Sequence, residues 1–527
     1  MRIDSVYIKE YKNLKDFSID LDEREMKTVL LGQNATGKSN FLEALILIFK
    51  YLDLSTETKR DAPIFDYKIA YKIKGHSIEI SCVSKAYTIA VNGEAPTLKS
   101  FFSSQGKSEY QPKYVFTYYS GLSNKLKELF WDHQKKFYDK IISDSFREDE
   151  LDSLRKLFYV QLVHSYFVLL AYFTHEEKDT ITFLKEVLHI EDIESILFVL
   201  KMPGWAKNRI KSNPDDIFWT AKGLVRPFLE KLWELSLAPI YHTKDVQVDF
   251  DDYDQQEQLY LFLKGKDKLK ELANTYTNNT ALFKALESTY ISKLISEVRI
   301  KVKKRNVDGS ITFKELSEGE QQLLTVLGLL KFTKDEDSLI LLDEPDTHLN
   351  PIWKWRYLEF LDKVVDRPAT TQIILNTHDP LVIGNLTKQE VRIFQTTSEG
   401  KIVALEAETD PRGLGVEGIL TSELFGLPTT IDEFTQQKLD ERNKLLVKQQ
   451  EGKLSTKEQS RLRSLYEELE ALGFGNTFRD PLYQRFIVAY RNRVKDHGKS
   501  SFTREELERQ NVLAMEILEE LSKEEEK

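Results

Sequence analysis

Apolar and polar positions alternate through residues 1–35, as two strands around a turn in "RIDSVYIKEYKNLKDFSIDL", followed by the unbroken apolar run of "KTVLLG". A period of two predicts half-buried strands, and a short continuous run predicts a strand buried on both faces. Residues 63–95 are rich in β-branched and aromatic side chains, with turns at "KGH" and "NGE", and read as further strands. "KYVFTYYSGLSNKL" (113–126) reads as a buried strand running into a helix. From about 124 to 235 the pattern reads as helical, and it closes on "NPDDIFWTAKGLVRPFLEKLWEL". Mixed structure returns over 236–315, including a hairpin around "NVDGS" within 297–316. Helix "EGEQQLLTVLGLLKF", strand "SLILLDEP", helix "NPIWKWRYLEFLDKVV" and strand "TQIILNTH" then alternate as in a doubly wound α/β sheet. Beyond about 408 two charged helices joined near "EGKLS" and a final acidic-ended helix are expected. The expected division is 1–123 and 236–408 as two lobes of one α/β unit, 124–235 as a helical insert, and 409–527 as a helical extension.

Composition narrows the class only a little. The 527 residues are 41% hydrophobic and 30% charged, which suits a globular protein of two or three units. One cysteine, Cys82, excludes a disulfide framework within the chain and favours a reducing, cytoplasmic setting. "MRIDSVYIKEYKNL" has no apolar core of a signal peptide. "LFYVQLVHSYFVLLAYF" (157–173) is short for a membrane span and reads as a buried helix, so no membrane partner is expected. A net charge of −10 argues against an all-over nucleic-acid coat but permits a local basic groove.

The chemistry begins at Gly32-Gln33-Asn34-Ala35-Thr36-Gly37-Lys38-Ser39, which fits G-x-x-x-x-G-K-[ST] between a strand and a helix. Glycines let backbone N–H groups converge on phosphate oxygens, and the helix N-terminus adds partial positive charge. Lys38 is expected on the β- and γ-phosphates of ATP and Ser39 on Mg²⁺. In "LILLDEPDTHLNP" (339–351) an apolar strand ends in Asp343-Glu344. Asp343 is placed to hold Mg²⁺ and Glu344 to polarise the attacking water. "LSEGEQQ" (316–322) sets Ser317 and the Gly319 backbone at a helix start, ready for an anion. "DTH" (346–348) follows the carboxylates, and "NTHDP" (376–380) puts His378 after the next strand, within reach of the γ-phosphate.

In this order the motifs resemble the head of an ABC-type ATPase of the SMC/RecF kind: Walker A, signature, Walker B, D-loop and switch histidine, over roughly 1–120 and 236–400. The resemblance implies an α/β fold, an ABC-type P-loop ATPase head with a mixed sheet and an antiparallel β subdomain. It implies nucleotide contacts from Lys12, Ser317, Gly319, Glu320 and Asp346 besides the P-loop. Glu318 and Glu320 in the signature match the SMC-like branch. Gln111 and the Tyr119–Ser120 region are candidates for the Q-loop contact. In such heads one protomer's signature serine caps the γ-phosphate held by another, so at least a dimer is expected.

The insert is too compact for a cohesin-like tether, and the tail shows neither a D-x-D after an apolar strand nor an HNH pattern. The whole chain resembles PtuA-type ATPases of the Septu and retron anti-phage systems, through "YYSGLSNKL" (118–126), the compact insert and 413–446 with its charged tail. That resemblance implies a separate HNH nuclease (PtuB-like) as partner, docked on the tail. In a retron setting it also implies a reverse transcriptase and its DNA–RNA product. "RIKVKKR" (299–305) puts Arg299, Lys301, Lys303 and Arg305 on one strand face and Lys304 on the other, a stripe able to follow phosphates. The alternative reading is a RecF-like repair ATPase acting directly on DNA.

Overall fold

The buried apolar runs assemble one parallel sheet. In the computed structural model its seven strands lie in the order Ile402–Glu406, Val391–Thr396, Lys27–Gly32, Thr371–Asn376, Ser338–Asp343, Tyr114–Tyr119, Leu157–Tyr159. Only the first of these is antiparallel to its neighbour. The structure describes residues 1–121, 125–143, 156–174, 178–210, 215–223, 225–247, 249–251, 253–305, 307, 310–332, 337–365, 369–472, 474, 486, 489–490, 493 and 503–525.

Successive residues of the central strands face two different cores, which is why these segments are apolar without alternation. Leu30, Leu339, Leu341 and Ile374 pack with Phe41 and Leu45 of the helix Lys38–Leu54. Val29, Leu31, Ile340, Leu342 and Leu375 pack with the other core, which holds the helices Val163–Tyr172, Glu318–Phe332 and Pro351–Val364. Deep in that second core His164 Nε2 lies 3.2 Å from Glu287 Oε1, both side chains nearly inaccessible to solvent.

Two antiparallel sheets flank the parallel one. The N-terminal sheet has the order Leu14–Asp20, Arg2–Tyr11, Tyr67–Ile73, His76–Val83, Ala86–Val91, in line with the alternation of its sequence. The other has the order Ile240–Gln247, Tyr253–Lys264, Ile190–Lys201, Ile295–Lys304, Ser310–Thr312. Its last two strands form the expected hairpin, paired from Lys301↔Thr312 to Lys303↔Ser310.

The helical reading of 124–235 is corrected here. Leu157–Tyr159 is an edge strand of the parallel sheet, so the buried helix begins only at Val163. Ile190–Lys201 is a twelve-residue strand at the centre of the second antiparallel sheet. Its pairing with Ile295–Lys304 slips at Glu194 and Glu191, where Lys301 faces Ser195, Val302 faces Ile193 and Lys304 faces Ile190. Each bulge inserts one residue, so inward positions fall at Ile190, Ile193 and Ile196 and imitate the spacing of a helix.

The tail contains the two expected charged helices, Glu433–Gln450 and Thr456–Ala471, packed through Leu445, Leu462 and Leu465. A capping box between Ser455 and Glu458 starts the second of them. The final helix spans Arg504–Glu525. Among the described residues no helix is long and apolar enough to cross a membrane.

Candidate active site

The C-terminal ends of three parallel strands bring the phosphate loop, the carboxylates and the histidine together. The strand Lys27–Gly32 delivers the loop, whose backbone needs left-handed dihedrals at Ala35 (φ 66°) and Gly37 (φ 91°). A side chain at Gly32, φ 141°, would put its Cβ 2.3 Å from the Phe394 carbonyl oxygen. Backbone in these conformations lets successive N–H groups turn toward one point, the arrangement phosphate recognition uses; within the loop the Thr36 N–H donates to the Gln33 carbonyl at 3.4 Å. The Lys38 ammonium donates to the carbonyl oxygens of Gly32 (2.7 Å) and Gln33 (2.9 Å). Burial lowers its pKa to about 8, against the pull of Asp343 and Glu344.

Ser39 donates its hydroxyl to Asp343 Oδ1 at 3.2 Å across 304 residues of sequence. Asn376, at the end of the neighbouring strand, donates from Nδ2 to the same oxygen at 2.5 Å. Asp343 Oδ2 is buried without a partner. Burial raises the Asp343 pKa, opposed by Ser39, Asn376, Lys125 and Lys38. A hydroxyl and a single carboxylate oxygen with unused capacity suit Mg²⁺, which takes few protein ligands and completes its shell with phosphate oxygens and water.

Glu344 follows in a left-handed conformation (φ 52°), with its N–H donated to the Asn376 carbonyl at 2.9 Å. Its carboxylate lies beside His378, whose Nε2 is 3.5 Å from Glu344 Oε1. Burial, then the repulsion of Asp343, raises the Glu344 pKa, which favours a proton acceptor. Burial, then Lys38, lowers the His378 pKa to about 4, so the imidazole is neutral at pH 7.

The remaining expected contacts are distributed differently. Lys12 and Lys125 both pair with the buried Glu43 of the phosphate-loop helix, and Tyr11 donates its hydroxyl to the same carboxylate at 3.0 Å. Lys125 also reaches Asn40 (3.3 Å), which bonds Asn13 (2.6 Å), which donates to the Ala35 carbonyl (2.8 Å). Lys12 is thus tied to the loop's support rather than to its mouth. Asp346 is turned inward, accepting from the Thr377 hydroxyl at 3.0 Å, and burial raises its pKa to about 6. Ser317 and Glu320 cap their own helix: the Ser317 N–H and hydroxyl donate to Glu320 Oε2 at 2.9 and 3.0 Å. Lys304 holds the other Glu320 oxygen at 2.5 Å. Gly319 permits close approach to the loop after Glu344, since a Cβ there would lie 2.6 Å from the His348 carbonyl oxygen. The His348 N–H donates to Gln322.

Gln111 is corrected as a Q-loop candidate. It is buried, bonds the Leu52 carbonyl at 3.3 Å, and precedes Tyr114–Tyr119 at the end of that strand remote from Asp343. Ser120 is the neighbour instead: its N–H donates to the Asp343 carbonyl at 3.3 Å and its hydroxyl meets that of Thr347 at 3.0 Å. Sequence reasoning missed Asn376, Glu43 and Lys125. Only Asn376 left a signal, a polar residue closing the apolar run Ile373–Leu375 of a wholly buried strand.

Residues 1–383 match the family model described as an AAA ATPase domain. Septu protein PtuA of Bacillus mycoides (strain KBAB4) is 26% identical over 181 residues, 32% of this chain and 25% of that protein. This chain therefore spans about a quarter of that relative's length. Retron Ec83 probable ATPase of Escherichia coli is 21% identical over 448 residues, 76% of this chain and 73% of that protein. DNA replication and repair protein RecF of Trichodesmium erythraeum (strain IMS101) is 32% identical over 103 residues, 18% of this chain and 26% of that protein.

Proposed function

The chain belongs to the AAA ATPase domain family and is an ATPase, and we propose that it is the ATP-gated regulatory subunit of a bacterial anti-phage defence complex. In this reading the amides of Gly32 to Ser39 and the Lys38 ammonium bind the nucleotide's phosphates. Ser39 and Asp343 hold Mg²⁺, which when bound neutralises charge on the phosphate oxygens. Glu344 takes a proton from the attacking water, and neutral His378, beside it, offers a hydrogen bond to the γ-phosphate. The helix start at Ser317 and Gly319 supplies its anion site to a second copy, so that ATP joins two heads and hydrolysis releases them. The observation that carries this reading is the division of labour within one chain: Lys38, Ser39, Asp343, Glu344, Asn376 and His378 converge, while Ser317 bonds within its own helical turn.

The defence assignment is supported by the 448-residue likeness to the retron ATPase and by the likeness to Septu PtuA. The tail 409–527, through its described helices, is then the docking surface for a separate HNH nuclease, and in a retron setting for a reverse transcriptase with its DNA–RNA product. The ATP-bound assembly restrains the nuclease until infection disturbs it, and release leads to abortive infection. The test is the mass and composition of the complex purified through a tag on this chain, expressed from its own operon, with and without ATP. An oligomer carrying a small HNH protein is expected. A lone chain that assembles only with ATP and DNA refutes the defence role. It favours instead a repair ATPase acting directly on DNA, the second reading, which the RecF likeness over 103 residues supports.

A further inference from the structure

The second antiparallel sheet has one face in the core and one facing outward. Leu261, Leu263, Ile196, Phe198, Val298 and Ile300 point inward and belong to the core. The register gives the composition of the other face. Phe262 lies opposite Leu197, which lies opposite Arg299; Lys264 lies opposite Ser195, which lies opposite Lys301. One row earlier Tyr260 faces Val199 and Glu297, and before that Gln258 faces Lys201. Directly opposed residues share a face, so these four rows lie on one side of the sheet; Val199 and Gln258 are buried there, and the side chains around them form the accessible surface. Tyr260, Phe262 and Leu197 are only half-buried and take no part in the core.

A chain of net charge −10 here presents four cations, Lys201, Lys264, Arg299 and Lys301, and one carboxylate. That carboxylate, Glu297, is bonded to Arg299 at 2.7 Å. Tyr260 is fixed by donating its hydroxyl to Gln258 at 2.6 Å, which orients its ring on the strand. Two aromatic side chains two residues apart on one strand, flanked by cations, provide π-faces for unpaired bases and charge for the phosphates between them. Duplex bases are stacked on each other and cannot use such rings.

We propose that the outward face around Tyr260, Phe262, Arg299 and Lys301 binds single-stranded nucleic acid, at a site separate from the ATPase centre. It uses none of the ATPase residues, so its failure and the failure of the ATPase reading are separable.

The test is fluorescence anisotropy of labelled dT20 with the full chain, titrated across salt. Unlabelled rU20 and a 20-base-pair duplex serve as competitors. Binding that weakens with salt is expected, with rU20 competing and the duplex competing at least tenfold less well. Arg299→Glu with Lys301→Glu is expected to weaken dT20 binding more than tenfold, to lower the slope of log K on log salt by about 0.7 per lost phosphate contact, and to leave nucleic-acid-free ATP turnover unchanged. Phe262→Leu keeps apolar bulk while removing the ring; it is expected to weaken binding severalfold with the salt slope intact. No binding of dT20 in low salt overturns the proposal. So does an equal loss on charge reversal elsewhere, at Lys68→Glu with Lys99→Glu, or duplex binding as tight as dT20.

Discussion

Replacing Asn376 by leucine tests the account of the carboxylate most sharply. The substitution keeps approximate side-chain volume and removes one donor. Asn376 Nδ2 is one of two neutral donors on Asp343 Oδ1, the other being Ser39 at 3.2 Å. A hydrogen bond to a charged group contributes about 1.5–3 kcal/mol. With about 1.36 kcal/mol for each factor of ten, its loss moves the balance between protonated and ionised Asp343 by about 10- to 100-fold toward the protonated form. Burial already pushes Asp343 the same way. Two readouts follow. The acid limb of the pH–rate profile at saturating ATP moves to higher pH, because Asp343 now loses its charge sooner as pH falls. The Mg²⁺ concentration for half-maximal turnover rises by about 10- to 100-fold, the range expected for loss of a group that orients a metal ligand. ATP binding measured in EDTA stays near the wild-type value, which separates this effect from unfolding. An unchanged acid limb together with an unchanged Mg²⁺ requirement refutes the role given to Asn376 and the placement of the cation on Asp343.

Glu344→Gln is expected to retain ATP binding and lose about 10²- to 10⁴-fold in turnover, the range of a general base, measured by phosphate release; turnover at the wild-type rate removes Glu344 from that role. Gly32→Ala places a Cβ 2.3 Å from the Phe394 carbonyl oxygen. It is expected to lower unfolding stability by about 1–3 kcal/mol in denaturant titration and to weaken ATP binding. His378, with its pKa lowered to about 4 by burial and Lys38, contributes no activity limb between pH 5 and 8. Since the unfolded chain takes up that proton near pH 6.5, this group's contribution to stability falls as pH drops from about 6.5 toward 4. His378→Gln flattens the corresponding stretch of the Tm–pH curve.

Much of the candidate site was legible because its residues are local in sequence. Gly32 to Ser39 is one uninterrupted motif, and Asp343-Glu344 closes an apolar run whose burial on both faces follows from its composition. The supporting residues were not legible because their partners are remote: Glu43 meets Lys125 only after the chain has crossed the N-terminal sheet. The strand Ile190–Lys201 was hidden for a different reason. Two bulges convert its period of two into a spacing of three, and the periodicity then speaks for a helix. Leu157–Tyr159 was hidden because a buried edge strand and the start of a buried helix present the same apolar run. Ser317 and Glu320 illustrate a third limit. The sequence placed them at a helix start, but a capping box and an anion site share that signature.

In the proposed function ATP joins two copies through the Ser317 helix start. Light scattering of Glu344→Gln with saturating ATP and Mg²⁺, beside Glu344→Gln combined with Ser317→Arg, tests it most directly. An ATP-dependent increase to at least twice the single-chain mass is expected for the first and none for the second, with both binding ATP. A first variant whose mass ignores ATP, or a second that assembles as readily, contradicts it.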